Sequence, residues 1–327
     1  MALIFPPNIY ASGGFNFRTY KMGVAPILSV GLNFNFLSGS LDDSLTFARA
    51  STASVFTSSG VLSSAAIDTP RFDYNPSTLA LKGLLLEEQR QNHLYPSTLV
   101  GACSVQRATV GNAAGITSPD GATAAYFNDT ETWGTHDAFP SVTFSWVQDT
   151  VYTSSIYAKA GAQSVLQLRF STTISGTIFA NYDLSGSGAI GSYTGCTPSI
   201  ENVGNGWFRC VLTVTSPVTA VNTTLVFTLT NNSTTAGYKP SYTGVGNGVY
   251  LWGGQHETGS KASSHIPTTT TVVTRAEEAL TFTVPSGVNV LRYVFDDDST
   301  QDVSVSAGTY TIPTNLNRAW IKSIAGV

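Results

Sequence analysis

Four histidines, His93, His136, His256 and His265, are the chain's only imidazoles, and none stands at metal-ligand spacing from another. They read as surface or loop-packing residues; His256 and His265 converge only if their segments form adjacent strands. Carboxylates run together at Asp42-Asp43, Glu87-Glu88, Glu277-Glu278 and Asp296-Asp297-Asp298. A glycosidase needs two facing carboxyl groups, but each of these runs falls in a turn or at a segment end, where acids are commonly solvated. The Asp296 to Asp298 run offers the hard oxygens that Ca²⁺ takes. It lacks the spacing of a loop site, and a hairpin turn accounts for it more simply. The chain has no phosphate-binding glycine loop, no Gly-x-Ser-x-Gly elbow and no His-Glu-x-x-His. No catalytic residue, metal or cofactor is expected, and the chain reads as non-enzymatic.

Aromatic rings are the remaining functional resource. Sugars lay their C–H faces on Trp and Tyr, while amides and acids bond the hydroxyls. Trp146, Trp207 and Trp252 have apolar neighbours in strand-like text and read as core. Trp133 stands in a polar stretch, Asn128-Asp129-Thr130-Glu131-Thr132-Trp133-Gly134-Thr135-His136-Asp137. Trp133 is therefore the sugar-stacking candidate, with Tyr126, His136 and Asp137 as companions. A lid over a sandwich edge or an intersubunit contact is the plainer alternative.

The elements that must hold these residues are strands. Charged residues make up 11% of the chain, against roughly 25% in ordinary domains, and Thr, Val, Tyr and Phe favour pleated sheet. Leu32, Phe34 and Phe36 alternate with Asn33 and Asn35, the period of a half-buried strand. Similar text predicts strands over 142–146, 154–160, 164–170, 177–184, 207–215, 223–229 and 248–252, punctuated by Gly, Asn, Ser and Pro. Residues 81–94 allow a short helix or a buried strand entering a polar loop. Residues 1–26 are broken by Pro6, Pro7, Gly13, Gly14 and Gly23 and carry Phe5, Tyr10, Phe15, Phe17 and Tyr20. They read as an extended arm tied to a partner.

After a boundary near 267–278, five short strands predict a small β module too small to stand alone. The formal net charge is −4, so no nucleic-acid footprint is expected. No apolar run is long enough for a membrane span, and the N-terminus lacks the basic region of a signal peptide. Cys103, Cys196 and Cys210 read as free thiols, a Cys196–Cys210 pair across a hairpin being the alternative. Arg49 and Arg71 are lone cations in apolar text, each expected to pair with a carboxylate, Asp73, Glu87 or Glu88 being nearest in sequence.

An ordered series of motifs carries a family resemblance. It runs from Leu45-Thr-Phe-Ala-Arg-Ala-Ser-Thr-Ala53 through Asp68-Thr-Pro-Arg-Phe-Asp-Tyr74 to Lys82-Gly-Leu-Leu-Leu-Glu-Glu-Gln-Arg90. Further on come Val203-Gly-Asn-Gly-Trp-Phe-Arg-Cys210 and Gly248-Val-Tyr-Leu-Trp-Gly-Gly-Gln-His-Glu257. The set resembles tailed-bacteriophage virion proteins that carry a carbohydrate-binding-module-like jelly roll. The resemblance implies an all-β chain in three parts: an attachment arm over 1–26, a jelly-roll β-sandwich over 27–276 and a small β domain over 277–327. It implies a protein made in the bacterial host cytoplasm and displayed on the virion surface. Its expected partners are capsid or tail proteins through the arm, further copies of itself, most simply as a trimer, and host surface polysaccharide. A tail-fibre or receptor-binding adhesin leads, with a capsid decoration or head-fibre protein and a glycan-degrading depolymerase as alternatives. Neither nucleic acid nor membrane is an expected partner.

Overall fold

The structure is a computed structural model that describes residues 31–171 and 177–327. The arm over 1–26, with Phe5, Tyr10, Phe15, Phe17 and Tyr20, lies outside the described residues. Among those described, the chain is all-β, with one three-residue 3-10 turn at Phe36–Ser38.

Two six-stranded antiparallel sheets form a β-sandwich. The first runs Thr197–Asn202, Trp207–Thr215, Val151–Ala160, Gly248–Thr258, Thr123–Asp129, Ala108–Thr117. The second runs Ala189–Thr194, Phe179–Asp183, Val165–Phe170, Leu225–Leu229, Asp137–Pro140, Cys103–Gln106. Alternation along each strand sends one set of side chains between the sheets. Phe127, Ile156, Phe208, Leu212 and Leu251 meet Leu166, Leu168, Phe170, Tyr182 and Phe227 there. Trp146 joins this core. Trp207 and Trp252 project from the first sheet's other face, where they pack with Tyr157, Val203 and Leu62. All three tryptophans are buried, as their apolar surroundings predict. The turn that feeds Trp207–Thr215 has positive φ at Gly204, Asn205 and Gly206, a conformation that Gly and Asn tolerate best.

The expected division at residue 277 does not follow the strand pairing. A third sheet runs Thr300–Ser304, Val290–Phe295, Trp320–Gly326, Leu81–Leu85, Arg71–Tyr74, and Asn33–Asn35 also pairs with Trp320–Gly326. A three-stranded sheet joins Thr46–Ala48, Ala279–Val284 and Gly308–Thr311. Phe34, Phe36, Leu45, Leu84 and Leu86 share one core with Leu280, Phe282, Leu291, Tyr293 and Ile324. The second body is therefore built from both ends of the described chain around the sandwich. A unit of about 50 residues buries too little apolar surface by itself, and the N-terminal strands supply the remainder.

Residues 81–94 contain no helix. Leu81–Leu85 and Arg90–Asn92 are both strands. The three cysteines are free.

Candidate functional site

The companions expected around Trp133 are not assembled. Trp133 lies on a two-residue strand paired with Tyr242–Thr243, not in an irregular loop, and is 69% exposed. His136 and Asp137, three and four residues on, are fully buried. The His136 ring bridges the carbonyls of Arg107 and Tyr242 at 2.6 and 3.1 Å. Asp137 pairs with Arg169 at 2.8 Å and accepts a hydrogen bond from Thr228 Oγ1 at 2.6 Å. Both belong to the polar filling of the sandwich. Tyr126 is half-buried and packs at a tilt against Tyr250, its cross-strand partner, with ring centroids 5.1 Å apart. Trp133 thus stands without the acid and imidazole groups its sequence neighbours suggested.

Three of the four histidines are not at the surface either, and His93 is half-buried. His136, His256 and His265 are buried. Ser154 Oγ lies 2.8 Å from His256 Nδ1, a pairing that resembles part of a nucleophilic triad. The His256 ring stacks on Phe144 and Tyr152, and burial pushes its pKa down to about 3. A serine and imidazole sealed among aromatic rings have no access to substrate.

A buried ionic cluster joins the two bodies. Glu278 accepts from Arg49 Nη1 at 2.8 Å and from Arg71 Nε and Nη2 at 2.7 Å each. Glu87 accepts from Arg71 Nη2 at 2.7 Å and from Ser264 Oγ at 2.7 Å. Burial opposes ionisation of Glu87, but the Arg275 and Arg71 guanidinium groups outweigh it and hold its carboxyl well below the usual range. Both arginines therefore find carboxylates, as lone cations in apolar text require. Glu278 comes from a strand start more than 200 positions away, beyond the reach of a nearest-neighbour argument. Asp73 and Glu88 are not partners of Arg49 or Arg71.

Asp73 serves a different place. A groove of about 540 Å³ opens between the outer face of the first sandwich sheet and the second body. The strands Val151–Ala160, Trp207–Thr215 and Thr197–Asn202 form its floor through Tyr157, Arg209 and Ser199. Phe56 and Tyr74 line it too, and Lys82, Asp73 and Trp320 stand on the second body's side. Asp73 accepts from Phe56 N at 2.8 Å and from Trp320 Nε1 at 2.7 Å. Burial pushes its carboxyl up to about 6 against those two hydrogen bonds. Lys82 Nζ lies 3.1 Å from the centre of the Trp320 ring. The groove thus brings aromatic faces, hydroxyls and charges of both signs together at one concave surface, the arrangement expected of a small-ligand site.

Sequence reasoning placed Tyr157 and Arg209 in strands but had no means of seeing that Lys82 and Trp320 line the same groove. The Asp296 to Asp298 run forms a hairpin turn, and its acids pair with Arg318 and Lys322. Among the described residues no group of three His, Cys, Asp or Glu is arranged to hold a metal ion. No protein-family model matches this chain and no curated protein matches it, so what the groove can bind follows from its own chemistry.

Proposed function

We propose that the chain is a non-catalytic surface protein of a tailed-phage virion, a tail-fibre-type adhesin that takes host surface glycan in the groove between its two bodies. The groove is the observation that carries this reading. Phe56, Tyr74 and Trp320 offer ring faces to sugar C–H groups, and Ser199, Thr197 and Glu201 offer hydrogen bonds to hydroxyls. The ordered motifs over 45–276 and the β-sandwich support the virion setting, with a jelly-roll winding, homotrimeric assembly and attachment through 1–26 as parts of the same proposal. A capsid decoration or head-fibre role is the alternative and differs in copy number. The depolymerase alternative draws on Asp73, a carboxyl raised by burial, and Glu201 in the same groove. Against it, each Asp73 oxygen already accepts an N–H bond.

Antibody raised against the purified chain tests the setting. It should label intact particles from the strain that encodes the chain, at a handful of copies per particle. Hundreds of copies would transfer the chain to the capsid, and unlabelled particles would remove it from the virion. The purified chain should also bind the phage host's cells without releasing reducing sugar from them; release would make it a depolymerase.

A further inference from the structure

Arg209 is the group in the groove that the fold leaves unfinished. It is 8% exposed, yet among the described residues no carboxylate comes within ion-pair distance of it, and the buried Glu257 feels its charge only from farther off. Its guanidinium lies 5.2 Å from the centre of the Tyr157 ring and donates once, from Nη2 to Ser155 Oγ at 3.0 Å. Arg209 Nε is buried with no hydrogen-bond partner. Beside it on the groove wall, His265 Nδ1 is buried and unpartnered as well. The other deeply buried arginines all have a carboxylate in reach: Arg49, Arg71 and Arg169 within 2.8 Å, and Arg275 at 3.5 Å from Glu87. A buried cation that no carboxylate touches is costly, and the cost is relieved when an anion makes that contact.

The rest of the groove wall decides what kind of anion fits. Its charged side chains are Lys82, Lys261 and Arg209 against Asp73 and Glu201. Glu201 is the cross-strand neighbour of Arg209 but is exposed and makes no ion pair with it. Rings line both sides, so a bare inorganic ion would leave most of the groove unfilled. We infer that the groove takes an anionic saccharide, with the acid group of one sugar residue meeting Arg209 and neighbouring sugar rings lying on the half-buried rings of Tyr74 and Trp320. This rests on the glycan reading above and narrows it to one ligand class. The guanidinium fork suits both carboxylates and phosphate or sulfate esters, so the probes must separate those sources.

The test is titration of the full-length chain with three size-matched oligosaccharides: oligogalacturonate, a sulfated dextran oligomer and neutral dextran. Oligogalacturonate should bind at least tenfold tighter than neutral dextran, and Arg209→Gln should remove most of that preference. Glu201→Gln, which takes away the competing carboxylate, should raise oligogalacturonate affinity a few-fold. Preference for the sulfated oligomer would keep the anionic class and move the acid group from carboxylate to ester. Equal binding of neutral and acidic oligomers, or an acid preference that survives Arg209→Gln, overturns the inference and leaves the glycan reading standing. Failure of all three oligomers to bind overturns the inference. The glycan reading falls as well only if host cells also go unbound. Should Arg209→Gln not fold, Ser199→Trp replaces it, since Ser199 is an exposed groove residue on an edge strand. That bulk should abolish oligogalacturonate binding with the melting temperature unchanged, and retained binding would place the ligand elsewhere.

Discussion

Glu278 holds two guanidinium groups at a place with no exposed side-chain surface. Removing its charge leaves Arg49 with no carboxylate and Arg71 with Glu87 alone. Glu278→Gln is expected to cost about 3–5 kcal/mol, as when one partner of a buried pair is lost. Urea unfolding measures it, and a loss under about 1 kcal/mol would mean the cluster is not what couples the two bodies. Trp133 is the opposite case. With 69% of its surface exposed, Trp133→Ala should leave the melting temperature unchanged and oligosaccharide affinity within twofold. A loss of tenfold would move the glycan site from the groove to that strand. The buried imidazoles make stability depend on pH. Burial holds the His256 pKa near 3 in the folded chain, below its ordinary 6.5. The unfolded chain therefore takes up a proton that the folded chain refuses, and folding weakens as pH falls from 6.5 toward 3. The stability advantage of the parent over His256→Gln should shrink by about 1 kcal/mol between pH 6.5 and 5.5. A gap that stays constant or widens would show that His256 is not held neutral. Asp73 and Glu257, both raised by burial, act in the other sense and contribute equally to parent and variant.

The strand Leu81–Leu85 shows how one residue can decide an element. Leu84, Leu85 and Leu86 are all buried, so the run has no polar face, and neither period is readable from it. Gly83 settles the pairing. Its φ is +117°, and a β-carbon there would come within 2.2 Å of the Ile321 carbonyl oxygen. Only glycine lets this strand approach Trp320–Gly326. Gly83→Ala should cost at least about 1–3 kcal/mol from backbone strain alone, more with the clash, and should expose Trp320 to fluorescence quenchers. Unchanged stability would mean that the two strands do not meet at Gly83. Elsewhere, strands with clean apolar alternation were legible. The text over 164–170 and 207–215 predicts strands that the structure places at Val165–Phe170 and Trp207–Thr215. The hairpin Ala53–Phe56 with Leu62–Ala65 was not legible. Its residues are mostly Ser, Ala and Thr, and its order comes from lying on Trp207 and Tyr157 rather than from its own pattern.

At the scale of the whole molecule, both ends of the described chain complete one body. Ending the chain at residue 276 would remove the strands that pair with Asn33–Asn35, Thr46–Ala48 and Leu81–Leu85. Such a chain should aggregate or melt far below the parent, because Phe34, Leu45 and Leu84 lose their core; a soluble, parent-like melt would show that the sandwich needs no second body. Composition and period by themselves determined that this protein is all-β, that Trp146, Trp207 and Trp252 are interior, and that Arg49 and Arg71 need acidic partners. Those are local consequences of charge density, alternation and the cost of burying an unpaired ion. The tertiary structure decided which acid each arginine takes, that His136 and Asp137 turn inward away from Trp133, and that Lys82 and Trp320 close a groove over Arg209. These depend on contacts between segments from 16 to more than 200 residues apart, and the spacing of residues along a chain carries no information about which strands will pair.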